Sequence, residues 1–129
     1  MNRKGFTLIE VMIALIILTV ISLSLGRFMA SFLHAVGTST VRTIATAVAQ
    51  EQVETISANT GTTTYPTLVA TYNNNIVTGF TGYPNMTRTT RVTRTTGSTP
   101  RRDYTTITAT VTEPTMGQPV NLTVVVAAP

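Results

Sequence analysis

An apolar run from Phe6 to Leu25, in which Glu10 is the only charged residue, strongly limits what the start of this chain can become. A helix of about 20 residues is about 30 Å long at 1.5 Å of rise per residue, which matches the hydrocarbon core of a bilayer. We therefore predict one transmembrane helix over residues 6–25.

The charge of Glu10 needs a reason, because this residue lies about one turn inside the predicted helix. An ionised carboxylate that faces lipid costs about 2.5–3.5 kcal/mol on insertion scales. Cleavage between Gly5 and Phe6 would create an α-amino group on Phe6, which is cationic at neutral pH. That amine on one copy could pair with Glu10 on a neighbouring copy.

Positions 4–10 read Lys-Gly-Phe-Thr-Leu-Ile-Glu. This stretch resembles the processing signal of type IV pilin and type II secretion pseudopilin precursors: a basic leader, a glycine, and then Phe-Thr-Leu-Ile-Glu. The resemblance implies that a prepilin peptidase cuts after Gly5 and methylates the new terminal Phe6. It also implies that Glu10 helps to register each incoming subunit in a filament. It covers the motif and its apolar run, and the later chain resembles the family only in architecture.

The leader, residues 1–5, is too short for a secretory signal peptide with its basic region, apolar region and cleavage site. Arg3 and Lys4 instead hold the N-terminus in the cytoplasm under the positive-inside rule, which places Arg27 and the later chain outside it. We expect a single-pass inner-membrane (plasma-membrane) protein that later enters a periplasmic or cell-surface filament. The resemblance implies three partners: prepilin peptidase, other pilin or pseudopilin subunits, and the inner-membrane assembly machinery.

Helical spacing continues over residues 26–58, which contain no proline. Apolar residues recur at mostly three or four positions apart, which indicates an amphipathic helix that continues the transmembrane one. These residues are Leu33, Val36, Val41, Ile44, Ala45, Val48 and Ile56.

Residues 59–129 are rich in threonine and favour strands. Apolar residues alternate with Thr or Asn over residues 106–112 and 120–126, with a turn segment over 113–119, which predicts an antiparallel hairpin. Further strands are predicted over residues 62–71, 76–80 and 86–96. The resulting fold class is α+β, with a long N-terminal helix packed on a small antiparallel sheet. It is the pilin-like fold that the resemblance implies.

The composition offers little catalytic chemistry. The chain has no cysteine, which excludes disulfides and thiolate metal sites, and it lacks a nucleophile elbow or a phosphate-binding loop. Glu51 and Glu54 lie about one turn apart and are interpreted as solvated charges rather than a cation site, and the single His34 is given no role. We predict that the protein is not an enzyme and has no metal or cofactor.

The remaining feature is a set of basic residues in the later chain. The net charge is +4, but without Arg3 and Lys4 the basic residues number seven against five acidic ones. If residues 86–96 form a strand, two of the arginines share one face and Arg91 lies on the other. The set is interpreted as solvated arginines that keep an edge strand from pairing, or as a surface for DNA or anionic polysaccharide. Its members are Arg88, Arg91, Arg94, Arg101 and Arg102.

Two hypotheses about function follow. The first is a structural subunit, a minor pilin or minor pseudopilin, that enters a filament by helix stacking. The second is a competence-type pilin that binds DNA through the basic surface. Small size, the Thr-rich hairpin and the segment 47–54 resemble V-type minor pilins and I-type minor pseudopilins, whereas the C-terminal disulfide loop of many major pilins is missing.

Overall fold

The computed structural model describes residues 5–60, 64–97 and 103–127. The helices are α1 (Leu8–Asn59) and α2 (Tyr65–Tyr72), and the strands are β1 (Asn75–Phe80), β2 (Tyr83–Thr95), β3 (Tyr104–Thr112) and β4 (Val120–Ala127). The chain divides into two compact units between Gly37 and Thr38. The predictions for residues 1–4, 61–63, Arg101 and Arg102 lie outside the described residues.

In the first unit, the side chains of residues 5–37 are exposed along α1. Among the described residues, α1 is the one helix long and apolar enough to cross a membrane. The hydroxyls of Thr19, Ser22 and Ser24 donate to the carbonyl oxygens four residues earlier, at 2.7, 2.8 and 2.9 Å. These polar groups are therefore satisfied inside the helix, as a segment in lipid requires.

The second unit holds a four-stranded sheet in the order β1-β2-β3-β4, with every neighbouring pair antiparallel. In its register Val92 lies opposite Ile107, which in turn lies opposite Val124. These side chains point to the same face of the sheet, because each strand alternates its faces with a period of two.

That inner face packs on the last turns of α1 to form the core. From α1 the core takes Ala45, Val48, Ala49, Val53 and Ile56, and from the sheet it takes Met86, Val92, Ile107, Ala109 and Val111. This arrangement confirms the predicted α+β, pilin-like fold class. Leu33 and Val36, which the helical spacing placed on the same apolar face, remain exposed because burial along α1 begins at Thr38.

The predicted strand over residues 62–71 is wrong where the structure describes it, because this segment contains α2. Thr64 is the N-cap, with extended backbone angles, and Pro66 lies in the first turn, where its missing N–H costs nothing. Leu68 is buried in the core, and the Asn59 amide donates to the Tyr72 hydroxyl at 2.9 Å. The strand propensity of threonine, valine and tyrosine was overridden by this packing.

The other predicted strands are confirmed with small shifts in their ends. β2 begins at Tyr83, three residues before its predicted start at Met86, after a turn in which Gly82 has a φ of 80°. A register shift between Thr78 and Phe80 separates the two parts of the β1–β2 pairing. β2 pairs with both β1 and β3, so it is not an edge strand. The interpretation that its arginines keep an edge strand from pairing is therefore wrong.

The alternation along β3 gives a direct test of the core. Ile107 has no exposed surface, whereas its neighbour Thr108 lies on the opposite face. We expect Ile107→Ala to lower the free energy of unfolding by about 2–5 kcal/mol, because it removes buried methyl groups and leaves a cavity.

Thr108→Ala is the matched control and should cost less than about 1 kcal/mol. Denaturant unfolding of residues 38–129 with each substitution measures the difference. Equal losses for the two variants would show that β3 does not have the face assignment described here.

Candidate processing and assembly site

The predicted cleavage bond joins Gly5 to Phe6, and both residues precede the first turn of α1. Phe6 is 83% exposed, and a side chain built on Gly5 would meet no atom of the described residues within 4 Å. A bond outside a helix, next to an exposed Phe6, is sterically accessible to a peptidase.

Thr7 is the residue that ends this segment and caps α1. Its carbonyl oxygen accepts from the backbone N–H groups of Glu10 and Val11 at 3.1 and 3.3 Å, and its hydroxyl accepts from the same Glu10 N–H at 3.4 Å. Thr7 and Glu10 therefore have the spacing of a capping box, Thr-x-x-Glu, at the helix N-terminus. This role of Thr7 was not predicted, although the motif is present in the sequence at residues 7–10.

This cap places Glu10 in a different environment from the one predicted. The predicted helix began at Phe6, but α1 begins at Leu8, so Glu10 lies in the first turn. Unpaired N–H groups and the helix dipole favour a negative charge there by about 0.3–1 kcal/mol at exposed sites. The helix N-terminus therefore stabilises the Glu10 carboxylate, in addition to any partner amine. This stabilisation is smaller than the cost of placing a charge in lipid.

One side of these first turns forms an open groove of about 320 Å³, and Glu10 is the charged residue of its lining. Ala14 provides the low point of the groove, because its side chain is the smallest of the lining residues. The groove is lined by Phe6, Glu10, Val11, Ala14, Leu15 and Leu18. One carboxylate in an apolar groove is suited to an apolar segment that carries one positive charge.

The exposed apolar surface of α1 continues beyond Leu25, where the predicted transmembrane segment ends. The rings of Phe28 and Phe32 stack with centroids 6.3 Å apart and planes 20° apart. Five large apolar side chains in this part are between 47% and 67% exposed: Phe28, Met29, Phe32, Leu33 and Val36. The amphipathic segment predicted over residues 26–58 therefore contains an exposed part and a buried part, which the helical spacing does not separate.

Arg94 is held within the fold rather than presented as a free cation. Its guanidinium makes a two-pronged ion pair with Asp103, with Nε donating to Oδ1 at 2.8 Å and Nη2 donating to Oδ2. It also lies 5.1 Å from the centre of the Tyr65 ring, whose hydroxyl accepts from the Arg94 backbone N–H at 2.5 Å. These contacts join α2, β2 and the residue before β3.

Arg88 shares the inner face of β2 with Arg94, as predicted, and its guanidinium lies 5.7 Å from the centre of the Phe80 ring. Its Nε is buried without a hydrogen-bond partner in the described residues. Loss of solvent lowers the pKa of Arg88 from its ordinary value, and the charge of Glu51 opposes this effect. Arg91 points to the opposite face, so the described arginines do not form a single basic surface.

The acidic residues of α1 do not form an evident metal site. The carboxylate of Glu54 accepts from the Gln50 amide at 2.9 Å. Within residues 5–60, 64–97 and 103–127, no group of three His, Cys, Asp or Glu side chains lies close enough to hold a metal ion.

Comparison with known families identifies the N-terminal segment. Residues 1–26 match the family model described as the prokaryotic N-terminal methylation motif, which confirms the predicted resemblance to type IV pilin or pseudopilin precursors. Precursors with this motif are structural proteins, and the motif together with the apolar helix is consistent with a membrane-anchored pilin. No curated protein and no solved structure matches the chain in the same comparisons.

The ion pair of Arg94 and Asp103 predicts a dependence of stability on pH. The hydrogen bond from Arg94 lowers the pKa of Asp103. Because the carboxylate is favoured in the folded state, the pair stabilises the fold above the usual Asp pKa of about 3.9 and loses this effect as pH falls through the lowered value. Asp103→Asn should therefore lower Tm modestly at pH 7.

Thermal melts of both proteins between neutral and acidic pH test this prediction. The difference in Tm should shrink below about pH 4, as the carboxyl of the unsubstituted protein becomes protonated. A difference that stays constant over this range would show that the charge of Asp103 does not contribute.

Proposed function

We propose that this protein is a minor pilin or minor pseudopilin, a structural subunit of a type IV pilus or type II secretion-like filament. In this proposal prepilin peptidase removes residues 1–5 and methylates Phe6, and the mature subunit leaves the inner membrane as its helix stacks against those of other subunits. The N-terminal methylation motif and the pilin-like α+β fold support the proposal.

The observation that carries it is the length of the exposed apolar surface on α1. From Leu8 to Val36 a helix is about 43 Å long, which exceeds the hydrocarbon core of about 30 Å. Phe28, Phe32 and Leu33 would thus lie beyond the predicted transmembrane segment. Leaving such a side chain in water is unfavourable, because burying it is worth about 1.5–3 kcal/mol. Helices of neighbouring subunits would cover this surface, whereas a membrane anchor alone would leave part of it in water.

Glu10 and the groove beside it give the proposed filament its register. The Phe6 amine of a neighbouring subunit would pair with Glu10, and its apolar side chain would contact the apolar lining around Ala14. In this arrangement the two charges neutralise each other away from water, so a subunit displaced along the helix would lose the pair.

The alternative, a competence-type pilin that binds DNA, has no comparable support in the described residues, which do not include Arg101 and Arg102. Such binding draws on several Lys or Arg contacts to phosphates. Arg88 and Arg94 are engaged on the inner face, whereas Arg91 lies on the outer one. We therefore retain the structural role as the proposal.

Processing is the first test. Co-expression with a prepilin peptidase should remove residues 1–5 and leave Phe6 at the N-terminus, as measured by intact mass. Gly5→Val should block the cut because it adds a branched side chain beside the bond, whereas Gly37→Val, the same change away from the cut, should leave cleavage intact. A chain that keeps its leader, or one indifferent to Gly5→Val, would contradict the proposal.

Assembly is the second test, and Glu10→Leu separates it from processing. Removing one member of a buried charge pair costs about 3–5 kcal/mol, so the variant should be cleaved and inserted normally yet fall about tenfold or more in sheared filaments. Glu54→Leu makes the same change at an exposed position of the second unit and serves as the control. Quantitative blots measure the amount of each variant in the membrane and filament fractions. Normal incorporation of Glu10→Leu into filaments would favour a simple membrane anchor.

A further inference from the structure

The face of the sheet opposite the core is almost entirely threonine on β2 and β3. We call this surface the outer face: the odd-numbered residues of β2 from Thr87 to Thr95, the even-numbered residues of β3 from Tyr104 to Thr112, and the odd-numbered residues of β4 from Asn121 to Ala127. The strand register places threonines side by side across the sheet. Thr87 lies opposite Thr112, and Thr89 lies opposite Thr110.

Arg91 lies in the middle of this array and differs from the other described arginines of β2. The structure gives its side chain no hydrogen bond, ion pair or ring contact with the described residues, whereas Arg94 has Asp103 and Tyr65. Among the described strand residues of the outer face, Arg91 is the single charged one. The strand propensity of threonine explains the hydroxyls around it, but it does not explain an arginine at their centre without an anion.

A shallow groove of about 400 Å³ lies beside Arg91. It is lined by Thr89, Arg91, Thr108 and Thr110, so hydroxyl groups from two strands border one cation. The Thr108 and Thr123 hydroxyls are 3.1 Å apart and extend the polar surface onto β4. At one end of the outer face Tyr104 is 38% exposed and offers an aromatic ring.

We propose that the outer face binds an acidic polysaccharide, with a sugar carboxylate on Arg91 and sugar hydroxyls on the threonines of the groove. Guanidinium and carboxylate match as a charge-assisted pair, and each threonine hydroxyl both donates and accepts a hydrogen bond. The outer face and an acidic polysaccharide also have similar charge densities. The face has one cation among many hydroxyls, and the polymer has widely spaced carboxylates among many hydroxyls. Duplex DNA, with one negative charge per about 1.7 Å, would call for several cations on this face.

The test measures binding by calorimetry with the full-length chain in neutral-detergent micelles. The acidic probe is a galacturonic acid hexamer, and the comparisons are a neutral glucose hexamer and a short DNA duplex. The acidic hexamer should bind best, and Arg91→Gln should weaken its binding about tenfold or more, as expected for loss of a charge-assisted hydrogen bond. Thr110→Val keeps the branched shape but removes a hydroxyl, and it should weaken binding by a smaller factor.

Matched controls separate this site from general effects of charge. Arg27→Gln removes the same charge from the first unit, and Thr46→Val makes the same change at an exposed position of α1. Both should leave affinity for the acidic hexamer unchanged within about twofold, while Tm confirms that all four variants are folded. Failure to bind the acidic hexamer, equal binding of the neutral hexamer, tighter binding of DNA, or an equal loss with Arg27→Gln would each overturn the proposal. None of these outcomes bears on cleavage at Gly5, so the filament proposal is tested separately.

Discussion

The apolar surface of α1 is the constraint on which the rest of the account depends. Over residues 5–37 the described chain provides no cover for it, and burial begins only at Thr38. The hydrophobic effect therefore requires the surroundings to supply that cover, first as lipid and then, in our proposal, as helices of other subunits. Thr7 and Glu10 mark the start of this surface, since the Thr7 hydroxyl accepts from the Glu10 N–H and the Glu10 carboxylate lies beside an apolar groove.

The second unit covers its own apolar surface, because one face of the sheet packs with the end of α1 and with Leu68 of α2 to form a small core. Without cysteine it has no disulfide to restrict the unfolded chain. The Tyr65 ring and hydroxyl instead tie α2 to Arg94 of β2, and the ion pair of Arg94 with Asp103 ties β2 to the residue before β3. Since α1 and α2 occupy the inner face, the outer face is left for solvent or for a ligand.

Local patterns determined which parts of this structure were predictable from sequence. The alternation over residues 106–112 and 120–126 has a period that only a strand satisfies, and both strands lie where it predicts. The strand predicted over residues 62–71 was wrong because strand propensity outweighed the helix start signal at Pro66. The packing that favours a helix there depends on residues distant in the sequence. The partner of Arg94 could not be predicted, since Asp103 approaches it only once β2 and β3 pair. The Thr7 cap was readable from Thr-x-x-Glu and was overlooked.

Solvent accessibility of α1 within the filament tests the central claim most directly, and the absence of native cysteine makes single-cysteine labelling clean. Ala30→Cys places a thiol on the exposed part of α1, and Thr108→Cys places one on the outer face. In sheared filaments a water-soluble maleimide should label position 108 readily and position 30 poorly, whereas both should react after denaturation in detergent. Equal labelling of the two positions in intact filaments would contradict the account, because it would show that α1 stays uncovered.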